Sequence, residues 1–201
     1  MNKDSESPSF WDDRYKVGKT PWDFHGVPAR LRVFLNEARG SRVFIPGCGS
    51  GHEIAAFLEA GCSVTALDFS EAAVALACAL PGNEEALILQ DDFFTCPLRR
   101  ESFDIVYERT FLCALNPSRW REYVDRMQHL LRPGGLLSGF FFYGEEPEPP
   151  PYPLTIPMAC SLFDNSFRQI RDEPVRDSLP LFRGRERWQE WSKLSAIDIL
   201  A

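Results

Sequence analysis

A chain of 201 residues with 29 acidic and 22 basic side chains, formally −7 at neutral pH, lacks the Lys and Arg clusters that bind a phosphate backbone, so no nucleic-acid partner is expected. Its 44% hydrophobic and 25% charged residues are ordinary for one globular domain with a sizeable core. No apolar run reaches the roughly 18 residues that span a bilayer, and the polar start Met1 to Pro8 has no signal-peptide character, so a cytoplasmic protein with no membrane partner is expected.

Residues 1–9 read as a disordered tail and 10–201 as a single domain. Trp11 and Tyr15 stand four apart on one face of a short helix that Gly18 stops, and Thr20-Pro21-Trp22-Asp23 follows as an extended turn. Three large rings, Trp11, Tyr15 and Trp22, either cover a sheet edge or form a lid whose faces attract a cation. Pro28 to Arg39 carries helical spacing and Gly40 ends it, which completes an N-terminal lid and helix over 10–40.

Val43-Phe44-Ile45 is too short an apolar run for a helix and leads into Gly47, Gly49 and Gly51, with Ile54, Phe57 and Leu58 at helical spacing behind them. Strand, tight loop and helix follow from that order, and the glycines let backbone approach a nucleotide-like ligand. A dinucleotide fingerprint would require glycine where His52 stands, and a phosphate loop would require a lysine that is missing. Cys62 to Phe69 is a second strand, and its Asp68 lies where Rossmann-type folds place the acid that accepts ribose hydroxyls. A helix over 71–80 precedes a short buried strand at 86–89. Asp91, Asp92, Phe93 and Phe94 then suit an adenine pocket, the carboxylate accepting from the amine and a ring stacking on the base.

Phe103 to Glu108 is a fourth strand, followed by Arg109, Thr110 and Phe111. Asn116-Pro117 opens a helix with a core stripe from Trp120 to Leu131, and Leu136 to Tyr143 is a fifth strand buried on both faces. The proline-dense stretch 144–157 leaves the ligand edge and is placed to wall an acceptor pocket. A helix over 158–167 and a strand over 168–178 follow, and Arg185 to Leu194, where Trp188 and Trp191 stand three apart as on either a helix or a strand, is taken as the last strand. Six cysteines without a Cys-x-x-Cys pair and three isolated histidines give no zinc spacing, so reduced thiols and no metal are expected.

Gly47-x-Gly49-x-Gly51 after a buried strand resembles the first motif of class I S-adenosyl-L-methionine methyltransferases. The wider set, Trp11-x3-Tyr15, Gly18-Lys-Thr-Pro-Trp-Asp23, Ile45 to Glu53, Leu67-Asp-Phe-Ser70, Asp91-Asp-Phe-Phe94, Glu108 to Pro117 and Leu130-Leu-Arg-Pro-Gly-Gly135, resembles the thiopurine S-methyltransferase family, which includes the halide and thiol methyltransferases. The resemblance covers roughly residues 10 to 194. It implies an α/β fold, the Rossmann-like class I methyltransferase, with a seven-stranded mostly parallel sheet and helices on both faces. It also implies S-adenosyl-L-methionine as methyl donor, S-adenosyl-L-homocysteine as product, and a small thiol, thiopurine or halide as acceptor. Cofactor contacts carry over to Trp11, Tyr15 and Trp22 of the lid, to Gly47, to Asp68 at the ribose, to Asp92 and Phe93 at the adenine, and to Arg109 beside the methionine part. Phe111 and Tyr143 carry over to the acceptor side, with Phe142 in place of Tyr143 if the register differs by one. No catalytic base is assigned, since a thiol ionises readily at neutral pH. The other readings are a nicotinamide oxidoreductase, which His52 disfavours, and a methyltransferase with a protein or metalloid acceptor.

Overall fold

The computed structural model describes residues 5–195. The elements run α1 (Pro8–Lys16), α2 (Ala29–Phe34), β1 (Arg42–Pro46), α3 (Ile54–Glu59), β2 (Ser63–Asp68), α4 (Glu71–Ala79), β3 (Leu87–Gln90), β4 (Phe103–Arg109), α5 (Trp120–Leu130), β5 (Leu131–Phe142), α6 (Ile156–Phe163), β6 (Phe167–Pro174) and β7 (Glu186–Lys193). The seven strands form one sheet in the order β3-β2-β1-β4-β5-β7-β6. Strands β1 to β5 are parallel, and β7 runs antiparallel to both its neighbours.

Strand alternation divides the core between the two faces. Val43, Ile45, Val64 and Tyr107 point to the side packed by Leu31 and Phe34 of α2, Ile54 and Phe57 of α3 and Ala77 of α4. Phe44, Leu67, Val106 and Phe141 point to the other side, where the expected stripe of α5 (Tyr123, Val124, Met127, Leu130) meets Leu162 and Phe163 of α6. Both faces are therefore covered, as a parallel sheet requires.

Some boundaries differ from expectation. The tail expected over 1–9 is helical from Pro8, with Trp11 Nε1 donating to the Ser5 carbonyl at 2.8 Å, and residues 1–4 and 196–201 lie outside the described part. Strand β3 is an exposed edge rather than a buried strand, and Leu87 is 56% exposed. It has a neighbour on one side only, so half its apolar run has nothing to pack against. Pro117 to Arg119 is a separate 3-10 turn ahead of α5, with Asn116 Oδ1 accepting from the Ser118 amide at 3.0 Å. No described helix is long and apolar enough to cross a membrane.

Candidate active site

The strand order reverses between β1 and β4, and the crevice outside the carboxyl ends of a doubly wound sheet opens at such a point. The loops leaving β1, β2, β3 and β4 all reach it. Together with α1 and the prolines at 149–151 they enclose a cavity of about 740 Å³. This lies within the size range of ligand pockets.

The floor is the glycine loop. Gly47 and Gly49 adopt left-handed φ of 57° and 55°; a Cβ on Gly47 would stand 2.3 Å from the Phe111 ring, and one on Gly49 would stand 2.6 Å from the Tyr15 hydroxyl. The loop is held by Asp68, whose Oδ2 accepts from the Gly49 amide at 3.0 Å and whose Oδ1 accepts from the Ser70 amide at 2.9 Å. Burial pushes the Asp68 acid up to about 6 despite those two amides. Burial likewise pushes Glu53, next to the glycines, up to about 7, with Arg109 opposing and Asp23 assisting. Two of the carboxyl groups that line the cavity thus have raised acids and are ionised more readily beside a cationic partner.

The roof is aromatic. Trp22 stands edge-on to Trp11 at 5.2 Å and to Tyr15 at 6.0 Å, and its Nε1 donates to the Tyr15 hydroxyl at 3.3 Å. All three rings line the cavity. Helix α1 is fixed by Asp12, whose Oδ1 accepts from Ser70 Oγ at 2.5 Å and from the Ala72 amide at 3.1 Å at the start of α4. The lid is therefore anchored to the turn that carries Asp68.

The far wall leaves β4. Glu108 is 1% exposed, and its carboxylate accepts from the Phe111 and Leu112 amides at 2.8 and 2.9 Å and from the Tyr123 hydroxyl at 2.7 Å. Burial outweighs these donors and pushes its acid up to about 7. Thr110 is held at a left-handed φ of 58°, which turns Phe111 over the glycine loop. Arg109 lines the cavity but is committed: one terminal nitrogen donates to Glu186 Oε1 at 2.6 Å, and its guanidinium lies 4.5 Å over the Phe140 ring. Its Nε is buried with no hydrogen-bond partner among the described residues.

The crevice thus gathers Trp11, Tyr15, Trp22, Gly47, Gly49, Gly51, Asp68, Asp92, Phe93, Arg109 and Phe111. Asp92 also serves its own turn, accepting from the Phe94 amide at 2.7 Å, and Phe93 is mostly core, 5.1 Å from Phe111. Tyr143 is not brought to the cavity. Its hydroxyl donates to Gln189 Oε1 at 3.1 Å across the β5–β7 pair, because the residue after β5 points to the opposite side from Phe142. Phe142 packs with Cys113 and Phe182 behind the wall, so the one-residue alternative does not line the crevice either. Cavity residues missed by sequence reasoning include Asp23, Glu53, Cys113, Arg119 and Phe182. For Glu53 a signal existed, since it follows the last glycine by two residues.

Comparison with known proteins narrows what this arrangement belongs to. The family model for thiopurine S-methyltransferase matches residues 6–191. The chain belongs to the thiopurine S-methyltransferase family. It is 33% identical over 154 residues to a probable thiol methyltransferase 2 of Arabidopsis thaliana, covering 73% of this chain and 67% of that one. It is 28% identical over 198 residues to thiocyanate methyltransferase 1 of the same plant, covering 92% and 85%. In fold it resembles a Burkholderia thailandensis 1,6-didemethyltoxoflavin-N1-methyltransferase solved with S-adenosylhomocysteine, at a TM-score of 0.76 and 21% identity, covering 94% and 87%. The member of this family described here is an S-adenosyl-L-methionine-dependent methyltransferase with a class I fold, which decides for methyl transfer over hydride transfer.

Proposed function

We propose that the cavity seats S-adenosyl-L-methionine along the carboxyl ends of β1, β2 and β4 and methylates a small thiol with an apolar body. One observation carries the reading: a roof of three aromatic rings closes over a floor that holds two carboxyl groups, buried Asp68 and half-buried Glu53. That combination suits a ligand with sugar hydroxyls and a positive charge. The residues fit it in three further respects: glycines whose Cβ would collide with the lid and wall, a buried Arg109 Nε without a partner, and a cavity larger than a nucleoside needs.

In this assignment Asp68 accepts from the ribose hydroxyls, Asp92 and Phe93 border the adenine, and Gly47, Gly49 and Gly51 admit the ligand to the backbone. Glu53 faces the ammonium of the methionine part, and Arg109, through Nε, faces its carboxylate. Trp11, Tyr15 and Trp22 exclude water and present their faces to the sulfonium. When bound, the cofactor supplies an electrophilic methyl on a cationic sulfur, and transfer to a thiolate cancels opposite charges, so a dry pocket favours it. Phe111, Leu115 and Phe182 make the acceptor side apolar, and the prolines at 149–151 close it. A thiol needs no dedicated base at neutral pH. The sulfur named in the acceptors of the relatives supports this choice.

Incubation with radiolabelled S-adenosyl-L-methionine and a panel of aryl and alkyl thiols, a thiopurine, thiocyanate, iodide, tellurite and a peptide tests it. Label is expected in the thiols at the highest kcat/KM. Faster transfer to iodide, tellurite or peptide than to any thiol would overturn the acceptor class.

A further inference from the structure

Two of the three histidines in the chain meet around a single carboxylate where the lid joins the glycine loop. Asp23 and His25 come from the turn after α1, and His52 is the residue just past Gly51. Nε2 of His52 stands 3.5 Å from Asp23 Oδ2, and Nδ1 of His25 stands 3.7 Å from Asp23 Oδ1. The two rings meet edge to face with centroids 5.4 Å apart, and one donor atom from each residue lies within 4.8 Å of the others. His25 holds a left-handed φ of 53° here, a conformation uncommon for a residue with a Cβ.

An ion pair alone does not explain the cluster. One imidazolium suffices for Asp23, and a second beside it would be repelled. Two imidazoles converging on one carboxylate are instead an arrangement that a cation can use. Two imidazole nitrogens and one carboxylate oxygen form a donor set for first-row divalent ions, with positions left open. Bonds of about 2.0–2.2 Å to such an ion put tetrahedral donors roughly 3.4 Å apart. Each histidine nitrogen is already near that value from one oxygen of Asp23, His52 from Oδ2 and His25 from Oδ1, and the 68% exposed His25 side chain can swing to bring three donors from their present spacing of up to 4.8 Å onto one ion.

We propose that Asp23, His25 and His52 form a site for a divalent transition ion of the zinc, cobalt and nickel class. Asp23 and His52 also line the cavity, so an ion there ties the lid to the glycine loop. Closing the lid with the ion raises cofactor affinity, and bound cofactor raises ion affinity by the same factor. This coupling rests on the proposed cofactor seat, whereas ion binding does not.

Cobalt(II) titration of the cofactor-free protein, followed by calorimetry and visible absorption, tests the site. One ion per chain is expected, with ligand-field bands and no thiolate charge-transfer band. His25→Ala and His52→Gln are each expected to weaken binding about tenfold or more, with thermal melting checking that each variant is folded. His129→Gln is expected to change nothing. No saturable binding, equal affinity in all three variants, or a thiolate band from the free cysteines would overturn the proposal. Titration of S-adenosylhomocysteine with and without cobalt then reads the coupling separately: ion binding without any change in ligand affinity overturns the latch and leaves the ion site standing.

Discussion

Asp68 accepts amide hydrogens from Gly49 and Ser70, and burial still lifts its acid to about 6, as it lifts Glu53 to about 7. A ligand that offers hydroxyls to one and an ammonium to the other binds the ionised forms. Its affinity is therefore expected to be full above pH 7 and to weaken as pH falls through 7 and then 6. Asp68→Asn removes the charge and turns an amide group toward the Gly49 N–H. With charge-assisted bonds worth about 1.5–3 kcal/mol, S-adenosylhomocysteine affinity is expected to drop about 10- to 100-fold. Calorimetry at pH 6 and pH 8 checks both points, and equal wild-type affinities at the two values would remove the carboxylates from the cofactor seat. Asp68 was legible in the sequence because it ends a strand and strand ends share one edge, whereas Glu53, two residues past the last glycine, was not picked out. Tyr143 and Phe142 both lie outside the cavity, the first held by Gln189 of β7 and the second packed on Phe182, and those contacts come from residues far along the chain that no choice of register reveals. Glu186, the partner that occupies Arg109, was not legible: it reaches Arg109 only through the antiparallel placement of β7, 77 residues along the chain.

The lid is two pieces with different holds. Helix α1 is tied to α4 through Asp12, whereas Thr20 to Gly26 connects through the Trp22 ring and the Asp23 contacts. Hydrogen exchange with and without S-adenosylhomocysteine is accordingly expected to gain protection mainly over 20–26 and less over α1. Equal protection in both states across 10–26 would mean that no lid closes. The loop after β4 is propped from within by Glu108 and by the Trp120 indole, which donates to the Leu112 and Leu115 carbonyls. Glu108→Ala strands two amides and the Tyr123 hydroxyl in the core, at about 1–3 kcal/mol for each unsatisfied group, whereas Glu108→Gln keeps an acceptor for the amides. At about 2–4 °C per kcal/mol for this size, the alanine variant is expected to melt several degrees lower and the glutamine variant to stay near wild type. The same loop illustrates what periodicity shows. The α5 stripe and the apolar run of β5 were readable because burial imposes period on sequence. The exposure of β3 was not, because the position of a strand in the sheet is set by partners elsewhere.

At the scale of the molecule, the crevice is a product of strand order. The family resemblance implied a Rossmann-like sheet, and the order β3-β2-β1-β4-β5-β7-β6 puts the glycine loop and the Arg109 turn side by side at the reversal. That arrangement holds three carboxyl groups, buried Asp68, half-buried Glu53 and buried Glu108, with acids raised to about 6, 7 and 7. A raised carboxyl binds its proton more tightly in the folded chain than in the unfolded one. Its contribution is fully present below the unfolded value near 4 and is lost as pH climbs through 6 to 7. His129 works in the opposite direction, since burial and then Arg126 pull it below its usual value, but it is one group against three. The cofactor-free protein is therefore expected to melt lower at pH 8 than at pH 5, by on the order of 5 °C. Saturating S-adenosylhomocysteine favours the ionised Asp68 and Glu53, so the stabilisation it confers is expected to grow over the same interval. Scanning calorimetry at half-unit steps measures both trends. A ligand-free melting temperature that rose steadily from pH 5 to pH 8 would mean that these three groups enter the fold already ionised, with partners that repay their burial.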